Sequence, residues 1–455
     1  MQRLTLLLDE SPLKGTQRWL WVLSTGGTLL DGFVLFALGV AIPLIIPQFH
    51  ITPETVGLIG SALVLGAVFG AGIGGRLADR LGRKRLMLAD MIIIAAGAAG
   101  SALANGAAML FISQLFVGVG VGIDFPVSST YISEVSPKRD RARMMVAMIA
   151  CQSIGMLLAA AITLLLLKNG SAQSWRLFLA TEGVIALLFF VLRLSAPDSP
   201  HWLMTREKCA EAARAFVRIM PEQKEQVYHL TADSEKLAAS VPKINAGIAI
   251  LFSRGYRART ALVAIPWFLM DIATYGVGLF TPVILGAIAI TGRTPRLVTH
   301  DLAVAKGSGV IDLFLLFGFL LGIWMVPRFG RIRMQILGFA GMTVGMLLLM
   351  AAVGVSNSSL HTPLVFAGFI LFNLLMNAGP NSTTFTLAPI MFPTQLRGTA
   401  AGFAASIAKL GATFGVFFLP IVKGKFGVPS VLGIVSAVSL LGLVVTLIFG
   451  HEDKE

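Results

Sequence analysis

The chain has 455 residues, of which 56% are hydrophobic and 13% charged, and its mean hydropathy is +0.82. That balance excludes an ordinary water-soluble globular protein and reads as an all-α polytopic membrane protein. The formal net charge of +13 sits in short loops between apolar runs, so it reports topology and not a nucleic-acid partner.

A membrane-crossing helix needs about 20 apolar residues. Dividing the chain at charged and Pro/Gly/Asn-rich breaks predicts twelve, over 19–46, 55–75, 86–105, 108–133, 144–167, 175–195, 260–285, 306–326, 334–354, 363–392, 398–422 and 428–449. The first apolar run is too long for a cleavable signal and carries Asp31. Loops holding Arg80, Arg83, Lys84 and Arg85, then Lys138, Arg139, Arg141 and Arg143, then Arg328, Arg331 and Arg333 alternate with cation-poor loops such as 47–54, 106–107 and 355–362. The positive-inside rule makes the basic loops cytoplasmic and places both termini inside. Compact loops and short tails suggest a bacterial inner membrane, and a monomer in the lipid bilayer is expected.

Residues 197–259 form the longest polar segment and read as short amphipathic helices, a cytoplasmic linker between a six-helix half over 1–196 and another over 260–455. Cys151 falls in a predicted span and Cys209 in the linker, so no disulfide is expected. The six His lie outside the spans, with no metal-ligand cluster, no cofactor motif and no intramembrane nucleophile–base pair; an enzyme is not expected.

The halves repeat each other. Gly75-Arg-Leu-Ala-Asp79-Arg80-Leu-Gly82-Arg83 follows the second span and Pro327-Arg328-Phe-Gly330-Arg331 the eighth; Glu134-Val-Ser-Pro137-Lys-Arg-Asp-Arg141 follows the fourth and Phe392-Pro-Thr-Gln-Leu-Arg397 the tenth. Arg83 and Arg331 lie 248 residues apart, and Arg141 and Arg397 256. A duplicated six-helix unit places a substrate near the midplane between halves that rock to alternate access. Asp79, Glu134 and these arginines can form charge-assisted hydrogen bonds to neighbouring helix ends, a cytoplasmic gate that locks one conformation and releases in the other. The Gly75–Lys84 loop resembles the signature of the major facilitator superfamily, and Pro197-Asp-Ser-Pro-His-Trp-Leu after the sixth span is similar to its sugar-porter branch.

Within the spans, strongly polar side chains are few and share a depth. At about 1.5 Å per residue, Asp31, Gln152, Asp271 and Lys409 lie about 12–18 Å along spans 1, 5, 7 and 11, and Asp124 and Asn381 about 14–16 Å from the inner ends of spans 4 and 10. Trp267, Asp271 and Tyr275 fall on one helical face, with the carboxylate between two aromatic donors. An intramembrane carboxylate is a functional-site hypothesis by default. Lys409 would pair with Asp271 or with an anionic ligand, and buried acids can take up and release protons; Asp31, Asp124 and Asp271 are the proton-coupling candidates. Asp90, Glu182 and Asp312 read as interfacial or helix-pairing.

Span 7 and Gly379-Pro-Asn381-Ser-Thr-Thr-Phe385 are similar to the phosphate:proton symporter family. The resemblance implies that Gln152, Trp267, Asp271, Tyr275, Asn381 and Lys409 bind phosphate, and that Asp31 and Asp124 carry protons. Phe125 stands where that family has Tyr, Val34 where it has a second acid, and Ile390 where it has an acid before Phe-Pro-Thr. These departures keep an organic anion open as the substrate; a sugar-like compound is the third possibility.

Overall fold

The computed structural model describes residues 2–168, 173–229, 248–289, 314–355 and 360–450. Among them no strand occurs, and ten helices are long and apolar enough to cross a membrane. With Arg257–Ala289 and the shorter Phe314–Phe329 the number reaches twelve. In chain order these are α1 (Gly15–Ser24, continuing as Gly26–Phe49), α2 (Pro53–Leu81), α3 (Arg83–Ala102), α4 (Ala107–Val135), α5 (Lys138–Lys168) and α6 (Ser174–Arg193). Then come α7 (Arg257–Ala289), α8 (Phe314–Phe329), α9 (Arg331–Gly354), α10 (His361–Met376, resuming as Ser382–Met391), α11 (Thr394–Leu419) and α12 (Ile421–Phe449).

Two elements differ from expectation. The last two spans form one continuous helical trace broken only at Gly427, whose φ of +79° reverses the local backbone, where a loop at 423–427 was expected. The tenth is interrupted by a π-turn, Asn377–Asn381, in which Pro380 removes a backbone donor. Asp312 and the start of the predicted eighth span lie outside the described residues.

Small residues let helices approach until side chains of different spans meet. On α1, a Cβ at Gly32 would collide with the Gln152 carbonyl oxygen of α5, which brings Asp31 beside Gln152. On α2, a Cβ at Gly75 would collide with the Gly398 carbonyl oxygen of α11, and one at Gly402 would press on Ala71. The crossing of α2 and α11 joins the two halves at the end of the bundle that carries the basic loops, called here the basic end.

In the linker, short helices Pro200–Thr205 and Cys209–Ile219 cover that end. They dock through Trp202, whose indole N–H donates to the Asp79 carbonyl at 2.9 Å, and Arg206, which donates to the same oxygen at 2.7 Å.

Candidate functional site

The centre of the bundle holds one ammonium and two carboxylates, all buried. Lys409 on α11 donates to the Tyr275 hydroxyl at 2.5 Å, and its Nζ lies 4.7 Å from the ring centroids of both Phe125 and Tyr275. Asp31 accepts from the Gln152 amide at 2.5 Å. Asp271 is 3% exposed, and Trp267 stands one turn before it and Tyr275 one turn after it on α7, with Lys409 and Asp31 the charges acting on it. Its Oδ2 is buried without a hydrogen-bond partner. Phe125 packs edge-on against Phe385 at 5.9 Å, and Phe385 against Trp267 at 6.2 Å. The group draws on α1, α4 and α5 from one half and on α7, α10 and α11 from the other.

Two other expected members of this layer have partners outside the Lys409 group. Asp124 is engaged by Arg193 of α6 at 2.7 Å and accepts from Ser128 at 2.9 Å, while Arg193 also holds Asp90 of α3 at 3.1 Å. Its Oδ2 faces Gly27, one turn of α1 before Asp31, at a point where a Cβ would overlap it. Asp124 thus neighbours Asp31 and acts on it electrostatically, but is tied to an ion-paired seam of α3, α4 and α6. Asn381 donates to the Asn377 side chain of its own helix at 2.8 Å. Arg193 was missed in the sequence because an arginine four residues before Pro197 reads as one more topology charge at the end of a span.

At the basic end a second cluster spans the two halves. Arg83 is fully buried; it donates to both carboxylate oxygens of Glu134 at 3.0 and 3.1 Å and reaches Asp79 at 3.2 Å. It also donates to the Thr394 carbonyl at 3.3 Å, and Arg397 donates to Glu134 at 3.4 Å, both across the halves. Asp79 binds the second turn of α11, accepting from the Gly398 amide at 3.2 Å, the Thr399 amide at 2.7 Å and the Thr399 hydroxyl at 2.8 Å. These contacts join the two halves at the basic end. Gly75 makes the close approach behind them, and Gly82, with φ of +100°, turns the chain so that Arg83 enters the cluster.

Of four other residues expected in this cluster, Arg141, Arg80 and Arg328 are engaged elsewhere or exposed. Arg141 pairs with Asp9 of the N-terminal helix Gln2–Glu10 and with the Ser136 carbonyl, so it ties the first half to its own terminus. Arg80 is exposed, and Arg328 stacks 4.1 Å above the exposed ring of Trp324. Arg331 is half-buried at the start of α9.

Asp198 and His201, quoted in the sequence only as part of a motif, support the cluster. Asp198 caps α3 by accepting from the amides of Arg83 at 3.0 Å and Lys84 at 3.3 Å; burial pushes its carboxyl up, against the pull of those amides. His201 packs edge-on against Phe216 at 5.9 Å, and burial pushes its imidazole down to about 4 despite the nearby Glu134.

Comparison with known proteins gives a family match over residues 21–455, to sugar (and other) transporters. The chain is 28% identical to the inner membrane metabolite transport protein YgcS of Escherichia coli (strain K12), over 98% of this chain and 94% of that protein. It is 29% identical to the probable inorganic phosphate transporter 1-6 of Arabidopsis thaliana, over 85% of this chain and 81% of that protein. Among solved structures, the proton:xylose symporter XylE of the major facilitator superfamily, bound to 6-bromo-6-deoxy-D-glucose, superposes with a TM-score of 0.81 over 96% of each chain at 20% identity.

Proposed function

The chain belongs to the sugar (and other) transporter family, and on that premise we propose that it imports inorganic phosphate together with protons by alternating access. It is a transporter of the major facilitator fold and not an enzyme. The observation that carries the reading is the charge count at the centre: Asp31 and Asp271 flank one buried ammonium, Lys409.

With both acids ionised this site is net negative and repels an anion. A bound anion therefore requires protons on the acids, which is the thermodynamic coupling a symporter needs. Phosphate near neutral pH keeps a P–OH that can donate to the open Oδ2 of Asp271, whereas sulfate offers no donor. Lys409, Tyr275, Trp267 and Gln152 supply donors to the remaining oxygens. Asp124, one turn of α1 away, is the neighbouring proton carrier.

The α2–α11 cluster is the gate of this mechanism, at the end read as cytoplasmic; the contacts between the halves there support that reading. Opening it breaks the bonds from Asp79 to α11 and the Glu134–Arg397 bond while the first-half contacts of Arg83 survive, so the halves can part as rigid bodies. A monomer in a bacterial inner membrane, both termini inside, is the corresponding assembly and location.

The experiment is uptake of labelled phosphate into proteoliposomes, with and without an inward proton gradient and with sulfate as competitor. Gradient-driven uptake that sulfate does not inhibit, abolished in a correctly inserted Asp271→Asn variant, supports the reading; gradient-independent uptake, or normal uptake by that variant, overturns it. Lys409→Ala is expected to raise the apparent KM for the anion more than other substitutions in the cluster, and an unchanged KM makes Lys409 structural.

A further inference from the structure

The surroundings of Lys409 are only partly suited to phosphate. Two of the faces nearest its ammonium are the rings of Phe125 and Tyr275, each centroid at 4.7 Å, and Phe125 continues into Phe385 and Trp267. Of these four rings only Tyr275 and Trp267 carry a donor. Phosphate has four oxygens and no C–H surface, so the Phe125 and Phe385 faces give it no complementary contact.

A carboxylate asks for less. Its two oxygens are satisfied by Lys409, Tyr275 and the nearby amide and indole donors, which leaves the ring wall for a body with C–H faces. Aromatic rings present such a surface to the C–H face of a carbohydrate, and a few placed polar groups orient it. One such group has no partner: Asp271 Oδ2 is buried and accepts no hydrogen bond among the described residues. A buried carboxylate oxygen of this kind calls for a donor, and a ligand hydroxyl supplies one.

Taking as given the reading that Lys409 binds an anion, we propose that the site is built for a hydroxylated organic carboxylate of the sugar-acid class, with phosphate the smaller anion it also accepts. The carboxylate sits on Lys409 and Tyr275, a hydroxyl donates to Asp271 Oδ2, and the C–H face lies against Phe125 and Phe385. Phe125 then acts as a specificity residue. A hydroxyl at this position would restore a donor for phosphate and disturb the apolar face.

The test uses the same proteoliposomes, with D-galacturonate, D-galactose and acetate as competitors of labelled phosphate, and labelled galacturonate as a second substrate. Galacturonate is expected to inhibit at a concentration at least about tenfold below unlabelled phosphate, with galactose and acetate inert there. Phe125→Tyr is expected to narrow that ratio by about threefold or more from both sides. Gradient-driven galacturonate uptake without phosphate uptake keeps the sugar-acid assignment and overturns both the phosphate reading and the statement that the site also accepts phosphate.

Galacturonate that competes no better than acetate, beside intact phosphate uptake, overturns the proposal and leaves the phosphate reading in place. Driven uptake of neither anion, in protein with a cooperative unfolding transition, overturns both. Galactose that competes as well as galacturonate overturns the role given to the carboxylate.

Discussion

In the first half, Gly82 turns the chain with φ of +100° and Arg83 follows it into a buried pair of carboxylates, Asp79 and Glu134. In the second half, Gly330 turns the chain with φ of +86° and Arg331 follows, but Pro327 and Ile390 hold the places of the acids. A parallel contrast runs through the helix seams. Asp90, Arg193 and Asp124 join α3, α6 and α4 by ion pairs; Gln335, Thr446 and Thr383 join α9, α12 and α10 by neutral hydrogen bonds of 2.9 Å.

Two copies of one unit thus keep the backbone device and differ in where charge is buried. A buried ion pair is strongly destabilised when one partner is removed, whereas each neutral hydrogen bond contributes about 0.5–1.5 kcal/mol. The first half is therefore the more committed body. Its acids reach across to the second half, which offers them peptide N–H groups and Arg397, the contacts proposed as the gate.

The largest expected effect comes from breaking the charged seam. Arg193→Met leaves two buried acids without their cation and is expected to cost about 3–5 kcal/mol, read as a large fall in the unfolding temperature of the detergent-solubilised protein. An unchanged temperature would mean that the ion pairs of Arg193 do not hold the seam.

Next is the gate. Asp79→Asn weakens charge-assisted bonds to Gly398 and Thr399, and a loss of about 1.5–3 kcal/mol shifts the closed–open balance at the basic end by tens-fold. Spin labels at the exposed Arg139 and Arg333 positions are expected to move apart, and unchanged distances would remove Asp79 from the gate. The converse change, Ile390→Glu, gives the second half its missing acid and is expected to shift the same distances toward closure by a few-fold.

Gln335→Met tests the neutral seam. Its expected cost, about 1–3 kcal/mol, is smaller than that of Arg193→Met; an equal or larger loss would erase the contrast between the halves.

The smallest effect is that of His201. Its imidazole is held at about 4, below the ordinary 6.5, because burial disfavours the cation. The unfolded chain therefore binds the proton more readily than the folded one. Stability from neutral His201 is fully present above about pH 6.5 and declines as pH falls toward 4. At pH 6 the decline amounts to under about 1 kcal/mol. His201→Leu is expected to flatten that part of the stability–pH curve, and an unaltered slope would exclude His201 as its source.

Much of the central cluster was legible because apolar spans give each polar side chain a depth, and depth alone brings Asp31, Gln152, Asp271 and Lys409 to one layer. Depth carries no azimuth. Asp124 shares the layer, yet its partner is Arg193, which lies at the end of a span where cations are expected for topology. The repeat implied equivalent roles for the arginines of both halves, but a basic motif does not record which acids stand opposite it. The N-terminal helix that presents Asp9 to Arg141 was not foreseen, so Arg141 was assigned to the gate. The π-turn in α10 was likewise hidden, since Gly379-Pro380 could kink a helix in several ways.

The most direct test of the central claim, that protons must enter the Asp31–Lys409–Asp271 cluster for an anion to bind, is proton uptake on binding. Purified protein in weakly buffered detergent solution is mixed with phosphate while pH is followed, against protein-free and Asp271→Asn controls. Removal of protons from solution by the wild type, and of fewer by the variant, is the predicted result. Phosphate binding with no proton taken up would contradict the account.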